Sequence, residues 1–109
     1  MPVTEKSLQL EREFVSPGVV FEPLKGNRQS FLYGTFQWCA GNESEVIVMF
    51  TSHRVIIKGK HLDSLPEQFA WQQVRRVKVL GRAAEMLSHV GDPAVPIVTD
   101  IQFEEVKDE

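Results

Sequence analysis

His53, His61, His89, the single Cys39 and two groups of cations are the residues of this 109-residue chain that have chemistry to offer. A metal site on a helix needs His at i, i+4, and a zinc knuckle needs Cys-x-x-Cys. No two histidines here have that spacing, and one cysteine makes no such motif. Ser52 and His53 are neighbours in sequence, so on an extended arm their side chains diverge and the imidazole does not reach the hydroxyl as a base. Glu104 and Glu105 diverge for the same reason. No Gly-x-Gly-x-x-Gly and no Walker loop is present to cradle a phosphate. The expectation is a non-enzymatic chain with no cofactor and no metal ligand set. Cys39, between Trp38 and Ala40 and with no cation beside it, reads as a small core hydrophobe, and a lone cysteine excludes an internal disulfide.

The cations are more informative. Residues 51–82 carry seven Lys or Arg against two Asp or Glu, whereas residues 83–109 carry one Lys against seven acids, within a chain of net charge −3. A basic middle beside an acidic end is the one oddity of composition. Arg54, Lys58 and Lys60 share one face of an extended arm by alternation. Arg75, Arg76 and Lys78 follow later. Together these six are the candidate anion-binding set, for phosphates of a lipid or a nucleic acid, and such binding weakens with salt because counterions are released. Single-strand binders add exposed rings to a basic groove; Tyr33 and Trp71 are the stacking candidates. Phe31, Phe36, Trp38 and Phe69 read as core. The acidic overall charge weighs against a nucleic-acid footprint, and charge runs usually face water.

The elements that must position these residues follow from punctuation and period. Turn signals fall at Ser16-Pro17-Gly18, Lys25-Gly26-Asn27, Gly41-Asn42-Glu43, Thr51-Ser52-His53 and Gly91-Asp92-Pro93. Leu8, Leu10 and Phe14 alternate as a strand that would pair with Val19–Phe21 across Pro17-Gly18. Phe31–Trp38 reads as one aromatic strand with Gly34 as a bulge. Val46–Phe50 is apolar on both faces and reads as the central strand. Its hairpin partner places Val55 and Ile57 inward, with Ile56 among the cations on the other face. Ser64-x-x-Glu67 with Pro66 in the first turn is a helix-start signature. Leu65, Phe69 and Val77, with Ala70 and Val74, then form a stripe, so a helix is expected over 64–79, with Gln72 an exposed helical site. A strand through Val74–Leu80 is the rival reading. Arg82–Ser88 suggests a helical turn. Ile97, Ile101 and Phe103 alternate as a last strand, and residues 104–109 read as a solvated acidic tail.

The expected fold is a single α+β domain over residues 1–109, a curved antiparallel sheet of five or six strands with one main helix. The alternative is a small all-β barrel. FTSHRVIIKG followed by AWQQVRRVKVLG resembles the bacterial pleckstrin-homology and GRAM-type pattern, in which a Thr-x-x-Arg turn joins two strands and a later strand carries a Val-x-x-Val step. Thr51, Arg54, Val74 and Val77 are the matching positions. An Sm-like barrel lacks its Asp/Asn turn motif here. The longest apolar run, Val46–Phe50, is too short to span a membrane, and the N-terminus has no apolar signal-peptide core, so a cytoplasmic location is expected, with a nuclear one equally open in a eukaryote. Three functions follow in order. The first is an interaction module binding a protein or itself. The second is an anion-binding module. The last is a ligand carrier or enzyme with a pocket between helix and sheet.

Overall fold

The computed structural model describes residues 7–11, 14–80 and 95–106. Sheet I consists of β1 (Leu8–Leu10), β7 (Val74–Lys78), β2 (Gly18–Glu22) and β3 (Gln29–Leu32), in that spatial order. Sheet II consists of β4 (Phe36–Gly41), β5 (Glu45–Phe50), β6 (His53–Lys60) and β8 (Ile97–Glu105). All neighbours are antiparallel except β2 and β7. The class is α+β. The strands number eight rather than five or six, and they lie in two open sheets with no closed barrel among the described residues. Thr51 falls in the β5–β6 turn and Arg54 on β6 just after it, and Val74 and Val77 lie on a later strand.

Alternation explains the core. Val46, Val48 and Phe50 of β5 and Val55 and Ile57 of β6 are fully buried, and Val19 and Phe21 of β2 meet them from sheet I. Phe21 packs edge-on against Phe31, Phe50 and Phe103 and stacks on Phe69. Ile47 and Met49 lie on the opposite face of β5 and stay partly exposed. The expectation that this strand is buried on both faces is therefore corrected.

The chain passes from sheet I to sheet II through a 3-10 turn, Tyr33–Thr35, so Phe31–Trp38 is two strands and Gly34 lies in the turn. Ser7, fully buried, links the sheets again: its carbonyl accepts from Lys78 N–H, and its Oγ accepts from Val98 N–H at 2.9 Å. β8 lies so close to β6 that a Cβ on Gly59 would stand 1.9 Å from the Ile97 carbonyl oxygen. Only glycine fits there.

The helix expected over 64–79 is corrected. α1 spans Leu65–Ala70, and β7 occupies Val74–Lys78. Two causes account for this. First, β1 and β7 shift register so that Gln9 faces Arg76 while Leu10 faces Val74. Arg75 is the extra residue of a β-bulge. Val74 and Val77 both bury although three residues apart, and that spacing imitates a helical stripe. Second, the helix stops without glycine. Gln72 takes φ +56°, its N–H bonds the Phe69 carbonyl, and Gln73 N–H bonds the Gln68 carbonyl. These are the two bonds of a Schellman cap. At the other end Ser64 is already helical and its side chain makes no capping bond, so the expected capping role is corrected too.

β1 pairs with β7, not with β2, and β2 takes β3 as its hairpin partner. Glu104 and Glu105 belong to β8 rather than to a tail. The helical turn over Arg82–Ser88, His89, the Gly91-Asp92-Pro93 turn and residues 107–109 lie outside the described residues.

The cap reverses the usual glycine penalty. Gln72→Gly is expected to be more stable than Gln72→Ala by about 1 kcal/mol, because glycine adopts positive φ without a Cβ clash. Ser64→Ala is expected to shift stability by less than about 0.5 kcal/mol. Equilibrium denaturation reads both; Gly less stable than Ala at position 72 would contradict the cap.

Candidate functional site

The bulge in β7 also arranges chemistry. Arg76 sits in one rung across sheet I with Gln9, Val20 and Ser30, on the face away from the core, and the extra residue Arg75 is exposed beside it. Two consecutive arginines thus line one groove of about 440 Å³. Its apolar lining comes from Pro17, Val20 and Leu32, its polar lining from Gln9, Ser16 and Ser30. Arg76 Nη1 donates to Glu22 Oε1, which is also 3.2 Å from Arg28 Nη1. Arg75 Nε lies 3.9 Å from Glu11 Oε2, a looser ion pair. Such partly exposed pairs hold guanidinium groups in place while contributing little stability.

Leu32, an exposed large apolar residue, lines the same groove. Ser16 N–H bonds the Gln72 carbonyl and Glu11 N–H the Gln73 carbonyl, tying the chain before β2 to the turn after α1. The backbone that follows Val15 thus meets the turn that follows Trp71, while Leu32 pairs with Gly18 at the groove wall. Phe14 (76 % exposed), Val15 (64 %), Leu32 (67 %) and Trp71 (65 %) are four of the six large apolar residues that are exposed among the described ones.

The six expected anion-binding residues are not brought together. Arg75 and Arg76 share the groove. Lys78 lines a second depression with Glu22, Gly26 and Arg28. Lys60 lines a third with Glu43, Ser44 and His61. Arg54 and Lys58 stand on the outer face of sheet II, where Arg54 Nη2 bonds Glu104 Oε2 at 3.1 Å and Lys58 lies between Glu45 and Asp100 in the ladder. None of these three depressions is lined by α1.

Of the two stacking candidates, Trp71 is exposed and Tyr33 is not. Tyr33 is buried, and its hydroxyl donates to the Val74 carbonyl at 2.6 Å. Its expected role at the surface is corrected: the 3-10 turn swings the ring inward to hold β7. Burial pushes the Tyr33 hydroxyl above its ordinary range, partly offset by that hydrogen bond. Conversely Trp38, expected in the core, is 45 % exposed on the outer face of sheet II. Phe14, expected on a strand with Leu8 and Leu10, is corrected: β1 ends at Leu10 and Phe14 is exposed; Val15 and Leu32 carried no signal beyond being apolar next to turn residues.

No group of three or more His, Cys, Asp or Glu is placed to hold a metal ion among the described residues, and no helix there is long and apolar enough to cross a membrane. No protein-family model, curated protein or solved structure matches the chain.

Cys39 packs against the core from β4, and burial pushes its thiol up to about 12 from an ordinary 9.0. At pH 8 the thiolate is scarce, so alkylation by iodoacetamide is expected to be at least about a hundredfold slower than for an unfolded chain. The rate should rise about tenfold per pH unit from 9 to 11. Because the folded value is the raised one, any stability Cys39 confers is present below pH 9 and lost as pH climbs toward 12. A fast, pH-independent reaction of the folded protein would contradict this burial.

Proposed function

We propose that this protein is a non-enzymatic interaction module, and that its binding surface is the arginine groove of sheet I with its apolar rim. The observation that carries the reading is the exposed Leu32 in the same groove as two arginines set side by side by a bulge. Guanidinium groups match carboxylates in a planar, bidentate geometry. The apolar rim offers area that only another apolar group covers. A polypeptide segment carrying a carboxylate next to a large apolar side chain suits both features. The surface is a groove rather than a projecting tip, which favours a peptide segment over a flat lipid layer.

Anion recognition in the narrower sense, of phosphates by Arg54, Lys58, Lys60, Arg75, Arg76 and Lys78 acting together, has weaker support, since the six lie on separate surfaces and Arg54, Arg75 and Arg76 face carboxylates.

Selection from a displayed library of random 12-residue peptides is expected to enrich Asp or Glu within two positions of Trp, Phe or Leu. Affinity for a selected peptide should fall about tenfold or more in Arg75→Glu and in Leu32→Asp, and should weaken with salt. Arg75 is exposed, so its variant tests binding rather than folding. No enrichment, or binding indifferent to both variants, would overturn the peptide reading. Binding to vesicles containing phosphatidylserine without any peptide enrichment would assign the surface to lipid instead.

A further inference from the structure

The outer face of sheet II carries a second pattern, distinct from the groove. The ladders set its side chains in three rows across the strands. Trp38, Met49, Arg54 and Glu104 form the first row, Ala40, Ile47, Ile56 and Gln102 the second, and Glu45, Lys58 and Asp100 the third. An antiparallel sheet with one wet face normally shows polar residues there. This face instead has Ala40, Ile47 and Ile56 at the centre of its middle row, which ends on Gln102, with charges in the rows on either side. Apolar centre and charged rim is the anatomy of a protein interface.

The charges also say which partner fits. A two-fold interface is isologous: if residue i meets residue j of the second copy, then j meets i. Consider an axis parallel to the strands and midway between β5 and β6. It keeps each row in place and reverses the strand order, so β5 of one copy lies over β6 of the other. Ile47 then faces the partner's Ile56. Glu45 faces the partner's Lys58, and Lys58 faces the partner's Glu45. Met49 lies along the aliphatic stem of the partner's Arg54, and Trp38 reaches the partner's Glu104, whose carboxylate accepts from an indole N–H. The alternative axis, across the strands through the central row, sets Arg54 against the partner's Lys58 and Glu104 against the partner's Asp100, both repulsive. We propose that the outer face of sheet II is the interface of a two-fold dimer of this chain, with β5 of each copy packed over β6 of the other.

Aligned sheets cross at about 30°. One row away from the axis centre this displaces opposing residues by only about 3 Å, within the reach of a lysine. Four strands about 4.8 Å apart and six residues long give a flat footprint of about 400 Å² per chain. That is at the small end for a specific interface, so the dimer is a weak one, with a Kd on the order of 10–300 μM.

Sedimentation of the full chain from 5 μM to 1 mM tests this, with circular dichroism melting to verify each variant's fold. The wild type is expected to pass from monomer to dimer over that range. Ile56→Glu should remain monomeric; if it fails to fold, Ile56→Thr takes its place and should weaken the dimer at least about fivefold. Glu45→Lys and Lys58→Glu should each weaken self-association about fivefold or more. Glu45 and Lys58 are also neighbours within one chain, so either change alone disturbs both contacts. The decisive arm is an equimolar mixture of the two variants. Each copy keeps its internal like-charge pair. Positions 45 and 58 are both cationic in the first variant and both anionic in the second, so opposite charges meet across the mixed interface and the dimer should return. A wild type monomeric at 1 mM, a dimer indifferent to Ile56 substitution, or a mixture no better associated than its components would overturn the proposal. None of these results bears on peptide binding at Arg75 and Leu32, which stands or falls separately.

Discussion

The Phe21 ring is the contact on which the arrangement depends. It belongs to an inner strand of sheet I, yet it touches Phe50 and Phe103 of sheet II, Phe69 of α1 and Phe31 of its own hairpin. A fully buried phenylalanine contributes about 1.5–3 kcal/mol by burial, and each well-set aromatic pair adds to that. Removing this ring would open a cavity facing both sheets and the helix at once. Because two open four-stranded sheets share no strand, they are held by this packing, by the chain crossings at Tyr33–Thr35 and through α1 from β6 to β7, and by the buried Ser7 link.

Placing the core between the sheets leaves each with an outer face. β-bulges decide what those faces present. In β7 the extra Arg75 turns a strand that would show one arginine into one that shows two. In β4 the register shift between Phe36 and Trp38 keeps Phe36 against Phe50 while directing Trp38 outward beside Met49. Bulges bend strands and re-aim side chains, and they recur where surfaces have tasks beyond folding. Here they set two arginines side by side in the groove and turn Trp38 to the outer face of sheet II, in the row beside the central one.

Much of the strand layout was legible from alternation. Val46–Phe50 and Val55–Ile57 show their inward residues directly, and Ile97–Phe103 behaves likewise. What was hidden depends on partners distant in sequence. Val74 and Val77 look helical because the bulge that separates them is set by β1, more than sixty residues earlier. The end of α1 carries no glycine, so nothing local announces Gln72 in the left-handed region. The cations were legible as charges but not as groups, because grouping requires knowing that β6 and β7 lie in different sheets. Tyr33 and Trp38 exchanged their expected places for the same reason: the chain changes sheet between them.

Two tryptophans, Trp38 on the outer face of sheet II and Trp71 at the end of α1 next to the turn that bonds Ser16 of the groove, allow the central claim to be read in a single spectrum. With the indole nitrogens labelled by 15N, Trp71 reports on the groove end and Trp38 on the outer face of sheet II. The claim is that the two faces bind separately. On dilution from 1 mM to 10 μM the Trp38 indole resonance should shift while that of Trp71 stays fixed. On addition of an acidic–apolar peptide at fixed protein concentration, Trp71 should shift and Trp38 should not. Two resonances that stay still under both conditions, or that move together under either, would contradict it.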